Sequence, residues 1–301
     1  MTQLQNNNMP NSMTGKMTGR WPAPAKLNLF LHVLGRRSDG YHELQTLFQI
    51  LDWGDELTIT INDSGRITRS YQGDLKGVVI PESDDICIRA AHLLQKLCGV
   101  SKGAHIGLVK NIPVGAGLGG GSSDAATVLV ALNQLWSCGL SQQQLADAGL
   151  ELGADVPVFV AGHSAWAQGR GERLQAVTLG ERHYVLIFPP FGISTAEVFQ
   201  HAGLKRDSMS LEIAETHMRP GKNDCTATAS EMYPELKSIM QDLQSWGQPY
   251  MSGTGSTIFL AFDSKKSAIN TARKLKCRYN VRAVGGVDRS ALLDRLSAGI
   301  E

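Results

Sequence analysis

The segment from Asn111 to Trp136, NIPVGAGLGGGSSDAATVLVALNQLW, contains five glycines within seven positions. Two serines and an aspartate follow them, and then an apolar run with the length of a helix. Glycine adopts positive φ and lets the backbone approach a ligand closely, while the start of a helix presents unpaired N–H groups at the positive end of its dipole. The combination predicts an anion site, most naturally for phosphate, because a merely flexible loop would not need so many glycines.

The glycine segment differs from each of the common phosphate-binding motifs at a specific residue. Gly115, Gly117 and Gly120 satisfy the GxGxxG spacing, but the acid that a dinucleotide-binding unit needs about twenty residues later is missing. A Walker loop nearly fits, but Gly121 stands where its lysine would be. The protein-kinase motifs HRD and DFG are absent. The cation that such a phosphate site needs must therefore come from another part of the chain.

Two other segments contain residues that suit phosphate chemistry. In AKLNLFLHVLG, Lys26 and Asn28 alternate with leucines, so a strand places both on one face, where they can reach the same pocket. Lys26 fits a solvated strand lysine as well as a catalytic one. Asp155 precedes Val156 and Pro157, a context typical of a helix N-cap, and capping and catalysis can coexist.

The glycine segment resembles the Pro-x-x-x-Gly-Leu-Gly-Ser-Ser-Ala loop of the GHMP kinases, a family of small-molecule kinases whose loop wraps the phosphates of ATP. Its extended form, PVGAGLGGGSSDAA, is most similar to the branch that phosphorylates a cytidine diphosphate-linked alcohol in the non-mevalonate route to isoprenoid precursors. Three further stretches match that branch in family order: PAKLNLFLHVLGRRSDGYHELQTLFQ, LGADVPVFVAG and MSGTGSTIFLAF. The resemblance extends from about Trp21 to Val287.

Strand and helix signals are mixed along the chain without strict βαβ alternation, which favours an α+β fold. The resemblance implies two domains: an ATP-binding domain like ribosomal protein S5 at residues 21–166, and a ferredoxin-like α/β sandwich domain on the substrate side at residues 167–301. Residues 1–20 are polar and lack the apolar core of a signal peptide. We expect them to form a flexible extension of a cytoplasmic protein.

The resemblance implies the roles of the two charged residues. Asp155 matches the catalytic aspartate of the family, which accepts the proton of the acceptor hydroxyl as a general base. Lys26 matches the lysine that is paired with this aspartate and stabilises the charge moving onto the γ-phosphate. The acceptor is a tertiary alcohol, a poor nucleophile unless its proton can leave.

The resemblance also implies how ATP is held, with Lys110 and Asp85 beside the adenine. The family often has Asn at the position of Asp85. Mg²⁺ is expected because ATP reacts as its magnesium complex, with Ser122 as a candidate beside the metal and Asp155 near it. The residues expected to bind the phosphates are Pro113, Gly115, Ala116, Gly117, Leu118, Gly119, Gly120, Gly121, Ser122 and Ser123.

For the cytidine diphosphate-linked substrate, the resemblance implies that Tyr41 stacks on the cytosine and that His42 hydrogen-bonds to it. Phe199 is implied as a second aromatic against the base, although PPFGIST departs from the usual run there. From composition alone, Tyr41 also fits an aromatic residue that packs over a hairpin, and Phe199 also fits a residue on the buried face of a helix. The other residues implied on the substrate side are Asn28 and the turn Gly253, Thr254 and Gly255, which also fits a plain strand entry.

Composition excludes several other classes of protein. The net charge of +1 argues against a large nucleic-acid or membrane surface, and the apolar runs fall short of the ~18 residues that a membrane span needs. The five cysteines are scattered without a CxxC pair, so neither a disulfide framework nor a zinc site is indicated. A monomer or a weak homodimer fits the sequence. Two alternatives stay open: another GHMP kinase, acting on mevalonate, homoserine or galactose, and a non-catalytic binding protein of the same fold.

Overall fold

The computed structural model describes residues 18–73, 80–213 and 218–298. Most of the expected extension lies outside these ranges, but its last three residues do not. Thr18 already pairs with Thr60 in the first strand, so residues 18–20 of the expected extension are strand. The reason is that the second strand is long enough to pair with residues on both sides of Trp21.

Helices and strands alternate irregularly along the described chain, which confirms the α+β prediction. The strands are β1 (Thr18–Arg36), β2 (His42–Asn62), β3 (Ile67–Gly73), β4 (Gly103–Lys110), β5 (Ala165–Gly169), β6 (Arg173–Ala176), β7 (Arg182–Phe188), β8 (Tyr250–Met251), β9 (Ile258–Phe262) and β10 (Asn280–Val287). The helices are α1 (Ile86–Cys98), α2 (Gly120–Leu135), α3 (Gln142–Leu150), α4 (Val156–Ala161), α5 (Thr195–Gln200), α6 (Cys225–Met232), α7 (Pro234–Leu243), α8 (Lys265–Leu275) and α9 (Ala291–Ser297).

The helix ends follow local sequence signals. Ser141 and Gln144 form the predicted capping box at the start of α3, with both reciprocal hydrogen bonds present. Ser194 and Ser264 cap α5 and α8 through their hydroxyls, which accept hydrogen bonds from the backbone amides of Glu197 and Ser267. Helix α2 begins at Gly120, within the glycine run, and continues through the apolar run that follows it. Helix α6 was not predicted, because its polar and small residues show no clear apolar stripe.

The described strands form one sheet in the order β3-β4-β2-β10-β7-β9-β8, with β1 and β5 also paired to β2 and β6 paired to β5. The link between its two halves is short: β10 pairs with β2 through Gly286–Leu51 and Val287–Ile50. The domain boundary predicted after residue 166 falls inside β5, which pairs with β2 over its whole length. We therefore propose that the N-terminal domain includes the β5–β6 hairpin.

Three groups of buried side chains form the interior. The first lies under α1 to α4, and the second lies among α5 to α8 and the strands β7 and β9. The third lies between them and combines residues of β1 and the glycine segment with residues of β7, β9 and β10. Because this middle core contains Leu27 and Leu118 together with Phe259, the two halves of the chain meet where the glycine segment lies.

Among the described residues, no helix combines the length and the apolar character that a membrane span requires.

Candidate active site

A cavity of about 530 Å³ opens where the two halves meet. Its wall is formed by β1 and β2, the glycine segment, the start of α1, the turn after β5 and the turn between β8 and β9. The residues predicted from the sequence that line it are Lys26, Asn28, Lys110, Pro113, Gly115, Ala116, Gly117, Leu118, Gly119, Gly120, Gly121, Ser122, Asp155, Phe199, Gly253 and Thr254.

The glycine segment is an arch that needs its glycines. Gly115, Gly117 and Gly119 have φ values of 71°, 73° and 71°, a region that strains other residues. Gly119 is the N-cap of α2, so the first turn of the helix begins at Gly120. The amides of this first turn have no partner within the helix and are available to an anion, which is the arrangement that binds phosphate.

Only one of the two serines after the glycines is available to a ligand. Ser122 lines the cavity and is partly exposed. Ser123 is fully buried, and its hydroxyl donates a hydrogen bond to the carbonyl of Pro24 at 2.7 Å. The expected contact of Ser123 with phosphate is therefore replaced by a bond that fastens α2 to β1.

The ammonium of Lys26 is held by three acceptors inside the wall of the cavity. Nζ lies 3.1 Å from Oδ2 of Asp155, 2.6 Å from Oδ1 of Asn28 and 3.3 Å from the carbonyl oxygen of Gly117. Only 3% of Lys26 is exposed, so the solvated-lysine alternative does not apply. The contact with Gly117 ties this charge directly to the glycine arch.

Asp155 stands at the N-cap position of α4, but its side chain makes no capping hydrogen bond there. Its carboxylate instead faces the cavity beside Lys26, with 31% of the side chain exposed. Of the two roles that the sequence left open, the geometry favours an open carboxylate at the cavity wall over a cap.

Lys110 is bound between two buried acids. Its Nζ contacts Asp55 and lies 2.7 Å from Oδ2 of Asp124. Burial lowers the pKa of Lys110, but the two carboxylates outweigh it and the pKa is raised, so the lysine stays charged. Burial first, and then repulsion by Asp55, raises the pKa of Asp124 well above its usual range. The two acids were not predicted: Asp124 lies in the glycine segment, where the resemblance gave it no role, and Asp55 lies outside the matching stretches.

Asp85 does not line the cavity, contrary to its expected place beside the adenine. Its side chain is the N-cap of α1, accepting hydrogen bonds from the amides of Cys87 and Ile88. Its other oxygen contacts Arg69 and Tyr71. The carboxylate is fully used by these partners, and the neighbouring residues Asp84, Ile86 and Cys87 face the cavity instead.

Of the three aromatic residues expected around the cytosine, Phe199 lines the cavity. The rings of His42 and Phe199 are stacked with centroids 5.1 Å apart. Phe199 lines the cavity and also packs against the C-terminal core. Tyr41 and His42 do not line the cavity themselves, but the ring of Tyr41 lies 4.7 Å from the guanidinium carbon of Arg170, which does.

The neighbours of His42 favour the neutral form of its ring. Its Nε2 accepts a hydrogen bond from Nε of Arg206 at 3.0 Å, so that nitrogen carries no proton. Burial lowers the pKa of His42, and the charges of Arg206 and Arg36 lower it further. The neutral ring can therefore donate only from Nδ1.

The turn between β8 and β9 packs against the glycine arch. The hydroxyl of Ser252 accepts a hydrogen bond from the backbone N–H of Asn28 and donates one to the carbonyl of Gly117. Gly253 and Thr254 line the cavity, and the hydroxyl of Thr254 pairs with that of Thr195 at 2.9 Å. Gly255, also expected at the substrate, does not line the cavity, because it faces Ile193 and Met251.

Comparisons with known proteins agree with this geometry. The family models for the GHMP kinase N-terminal and C-terminal domains match residues 85–163 and 205–281. The 4-diphosphocytidyl-2-C-methyl-D-erythritol kinase of Shewanella loihica is 45% identical over 285 residues, covering 95% of this chain and 99% of the relative. The chain belongs to the 4-diphosphocytidyl-2-C-methyl-D-erythritol kinase family of GHMP kinases.

Solved structures place this kinase family within the wider fold. A crystal structure titled 4-(cytidine 5'-diphospho)-2C-methyl-D-erythritol kinase matches with a TM-score of 0.77 and 33% identity, over 89% of this chain and 99% of the other. Homoserine kinase from Cytophaga hutchinsonii matches with a TM-score of 0.67 at 15% identity, over 95% and 99% of the two chains. The second match shows the shared fold only, so it says nothing about the acceptor.

Close packing restricts two positions of the glycine arch to glycine. A Cβ on Gly119 would lie 2.8 Å from the ring of Phe159, and one on Gly120 would lie 3.1 Å from Nζ of Lys110. Glycine therefore lets the arch pack closely against Phe159 and Lys110, while the amides at the start of α2 suit phosphate. The described residues contain no group of three His, Cys, Asp or Glu side chains suited to a metal.

Three polar residues of the site carry no signal in the sequence. Arg170 stands in a short Gly-Arg-Gly run that reads as an ordinary turn, and Arg206 and Asn223 lie in segments without regular pattern. Asn223 donates hydrogen bonds to the carbonyls of Met251 and Gly253, which holds the β8–β9 turn. Such roles depend on contacts between distant segments, which a single sequence does not reveal.

Proposed function

We propose that the protein transfers the γ-phosphoryl group of ATP to the 2-hydroxyl of 4-diphosphocytidyl-2-C-methyl-D-erythritol, giving the 2-phosphate and ADP. The reaction belongs to the non-mevalonate route to isoprenoid precursors. The observation that carries the proposal is the Lys26–Asp155 pair, 3.1 Å apart beside the glycine arch, in a chain 45% identical to kinases of this name.

In the proposed reaction, the oxygen of the acceptor hydroxyl forms a bond to the γ-phosphorus while the bond to the β-phosphate oxygen breaks. The proton of the hydroxyl passes to the carboxylate of Asp155, and ADP leaves. Lys26 stabilises the negative charge that develops at the oxygens, and its three acceptors keep it in place. The amides at the start of α2 hold the phosphates.

Mg²⁺ forms part of the proposal as the ion that enters with ATP. It would share the negative charge of the phosphates, with Ser122 as the nearby hydroxyl in the cavity wall. Because no three-ligand protein site exists among the described residues, the phosphates themselves would supply ligands. We also infer that the enzyme works in the cytoplasm as a monomer or weak homodimer, since its small-molecule substrates need no further partner.

The test is an ATP-consumption assay on the purified full-length chain with a panel of acceptors. The panel contains the diphosphocytidyl alcohol, mevalonate, homoserine and galactose. We expect turnover with the first acceptor alone, and a new phosphomonoester signal in the ³¹P NMR spectrum of the product. Turnover with another acceptor would assign the chain to a different GHMP kinase. ATP binding without any turnover would favour a non-catalytic protein of this fold, a reading that the intact Lys26–Asp155 pair opposes.

A further inference from the structure

The cations of the cavity differ in whether they already have a carboxylate partner. Among the described residues that line it, the basic side chains are Lys26, Lys110 and Arg170. Lys26 is paired with Asp155, and Lys110 is paired with Asp55 and Asp124.

Arg170 forms no ion pair within the described ranges. The charge of Arg170 also helps to lower the pKa of Asp39. The carboxylate of Asp39, however, already accepts hydrogen bonds from Arg37 and from the backbone amide of Tyr41. Of the three basic side chains that line the cavity in the described part of the chain, Arg170 is therefore the one whose hydrogen-bond donors are open to a ligand.

The turn that carries Arg170 is well fixed. It connects β5 and β6, and its glycines Gly169 and Gly171 have φ values of 76° and 114°. The carboxylate of Glu172 accepts a hydrogen bond from the backbone N–H of Arg170 at 2.5 Å. The backbone of the turn is thus held by its own contacts, and the guanidinium does not have to hold it.

The position of Arg170 lies between the two ends of the proposed substrate. On one side its guanidinium covers one face of the Tyr41 ring, which is 53% exposed and so remains open to a base. On the other side the neighbouring Gly171 lies against Ala154, the residue before Asp155: a Cβ on Gly171 would be 4.0 Å from the carbonyl oxygen of Ala154. A molecule with its cytosine near Tyr41 and its hydroxyl at Asp155 would place its diphosphate beside Arg170.

We propose that Arg170 binds the diphosphate of the acceptor substrate and thereby selects acceptors that carry one; this rests on the proposed function. Each phosphate of that group carries a negative charge, and ATP brings more negative charge into the same cavity. The planar guanidinium donates paired hydrogen bonds to phosphate oxygens from its edge while its face stays on the Tyr41 ring. A lysine keeps the charge but has neither the fork nor the flat face.

The test compares three variants of the full-length protein. Arg170→Gln removes the charge, and Arg170→Lys keeps it without the fork. Arg173→Gln is the matched control, because Arg173 lies on the same hairpin, is 61% exposed and pairs with Glu43 outside the cavity. For each variant we measure the KM values of both substrates, together with the inhibition constants of cytidine and of cytidine diphosphate against the acceptor.

We expect Arg170→Gln to raise the KM of the acceptor and the inhibition constant of cytidine diphosphate about 10- to 100-fold, the range for losing hydrogen bonds to a charged group. The inhibition constant of cytidine and the KM of ATP should change less than about two-fold by the same reasoning, since neither ligand places a diphosphate beside Arg170. Arg170→Lys should recover part of the loss, and Arg173→Gln should match the unmodified protein.

Three results would overturn the inference. Equal losses for cytidine and cytidine diphosphate would show that Arg170 only supports the Tyr41 ring. A selective rise in the KM of ATP would place Arg170 at the triphosphate, and unchanged constants would leave it no role in binding. Failure of the proposed function looks different, because the unmodified protein itself would then neither turn over the acceptor nor bind cytidine diphosphate.

Discussion

At the scale of single residues, the proposed reaction gives Lys26 the stabilisation of charge and Asp155 the transfer of the proton. Lys26 is buried and its ammonium already has three acceptors, so it serves as a fixed positive charge with no freedom to move. Asp155 is the more open partner, with one oxygen directed at Lys26 and 31% of its side chain exposed. An incoming hydroxyl can therefore reach the open carboxylate, with the fixed charge of Lys26 beside it.

Replacing Asp155 by Asn should lower the turnover number by ~10²–10⁴, because an amide cannot accept the hydroxyl proton. ATP binding should stay nearly unchanged, since the glycine arch is untouched. Steady-state kinetics and calorimetric titration with a non-hydrolysable ATP analogue measure the two quantities. Asp147→Asn is the control, as Asp147 is an exposed residue of α3 outside the cavity. Full turnover in Asp155→Asn would remove Asp155 from the role of base.

His42 provides a second residue-scale test, through its pKa. The folded protein lowers this pKa below the usual 6.5, with burial as the largest cause and Arg206 the next. Between pH ~6.5 and the lower pKa of the folded protein, His42 is therefore protonated in the unfolded chain but neutral in the folded chain. We expect the contribution of His42 to reduce stability as the pH falls from about 6.5 through the folded pKa, and to have no effect at higher pH.

Replacing Arg206 by Gln should raise the pKa of His42, because a positive charge and a hydrogen bond to the neutral ring are both lost. The acid limb of kcat/KM for the cytidine substrate should move to higher pH in parallel. NMR titration of the imidazole signals, assigned with a His42→Gln variant, measures the pKa directly. A pKa that is unchanged or lower in Arg206→Gln would contradict the assignment.

How far the sequence predicted these residues depended on the kind of contact. The alternation around Lys26 and Asn28 predicted a shared face, and Nζ of Lys26 does contact the amide oxygen of Asn28. The identity of the partner, Asp155, came only from the family resemblance. The predicted ligand contacts of Asp85 and Ser123 were wrong, because both residues lie next to the start of a helix. The exact first residue of the helix decides whether such a side chain faces a ligand or the interior, and the sequence pattern does not fix that residue.

At the scale of elements, the glycine arch and the β8–β9 turn lie in contact through their backbones. A Cβ on Gly117 would lie 2.4 Å from the carbonyl oxygen of Ser252 and 2.7 Å from that of Gly255. Neither oxygen belongs to a flexible side chain, so one of the two turns would have to move. The arch thus needs glycine at this position for close packing as well as for its positive φ.

Gly117→Ala should therefore lower the free energy of unfolding by more than the same substitution at a glycine that has a similar φ but free space around it. Gly99, the C-cap of α1, is the control, with φ of 62° and no atom within 4 Å of an added Cβ. Gly99→Ala should cost about 1–2 kcal/mol from backbone strain, and Gly117→Ala a further ~1–3 kcal/mol from displaced backbone. Urea denaturation measures both. Equal losses would mean that the two turns separate without cost.

Elements with local signals were predictable, and those defined by distant partners were not. The capping box at Ser141 and the strand at residues 280–287 each carry a pattern of their own. The pairing of β10 with β2 is a contact between residues more than two hundred positions apart, and nothing local indicates it. The predicted domain boundary was placed inside β5 for the same reason, since the partner of β5 is β2.

At the scale of the whole molecule, the middle core makes the two halves interdependent. Leu27 of β1 and Leu118 of the glycine arch pack in one cluster with Leu186 of β7 and Phe259 of β9. All four are at most 1% exposed, so separating the halves would expose them together. Burying such side chains is worth roughly 1.5–3 kcal/mol each, which is large beside the stability of a typical domain.

We therefore expect the chain to unfold in one transition, although chains of about 300 residues commonly show intermediates. Far-UV circular dichroism and tryptophan fluorescence should give the same midpoint. A non-hydrolysable ATP analogue at about 100 times its Kd should add ~2.7 kcal/mol to the free energy of unfolding of the entire chain. Two transitions, with only one shifted by the analogue, would show instead that the halves fold separately and that the middle core is a weak contact between them.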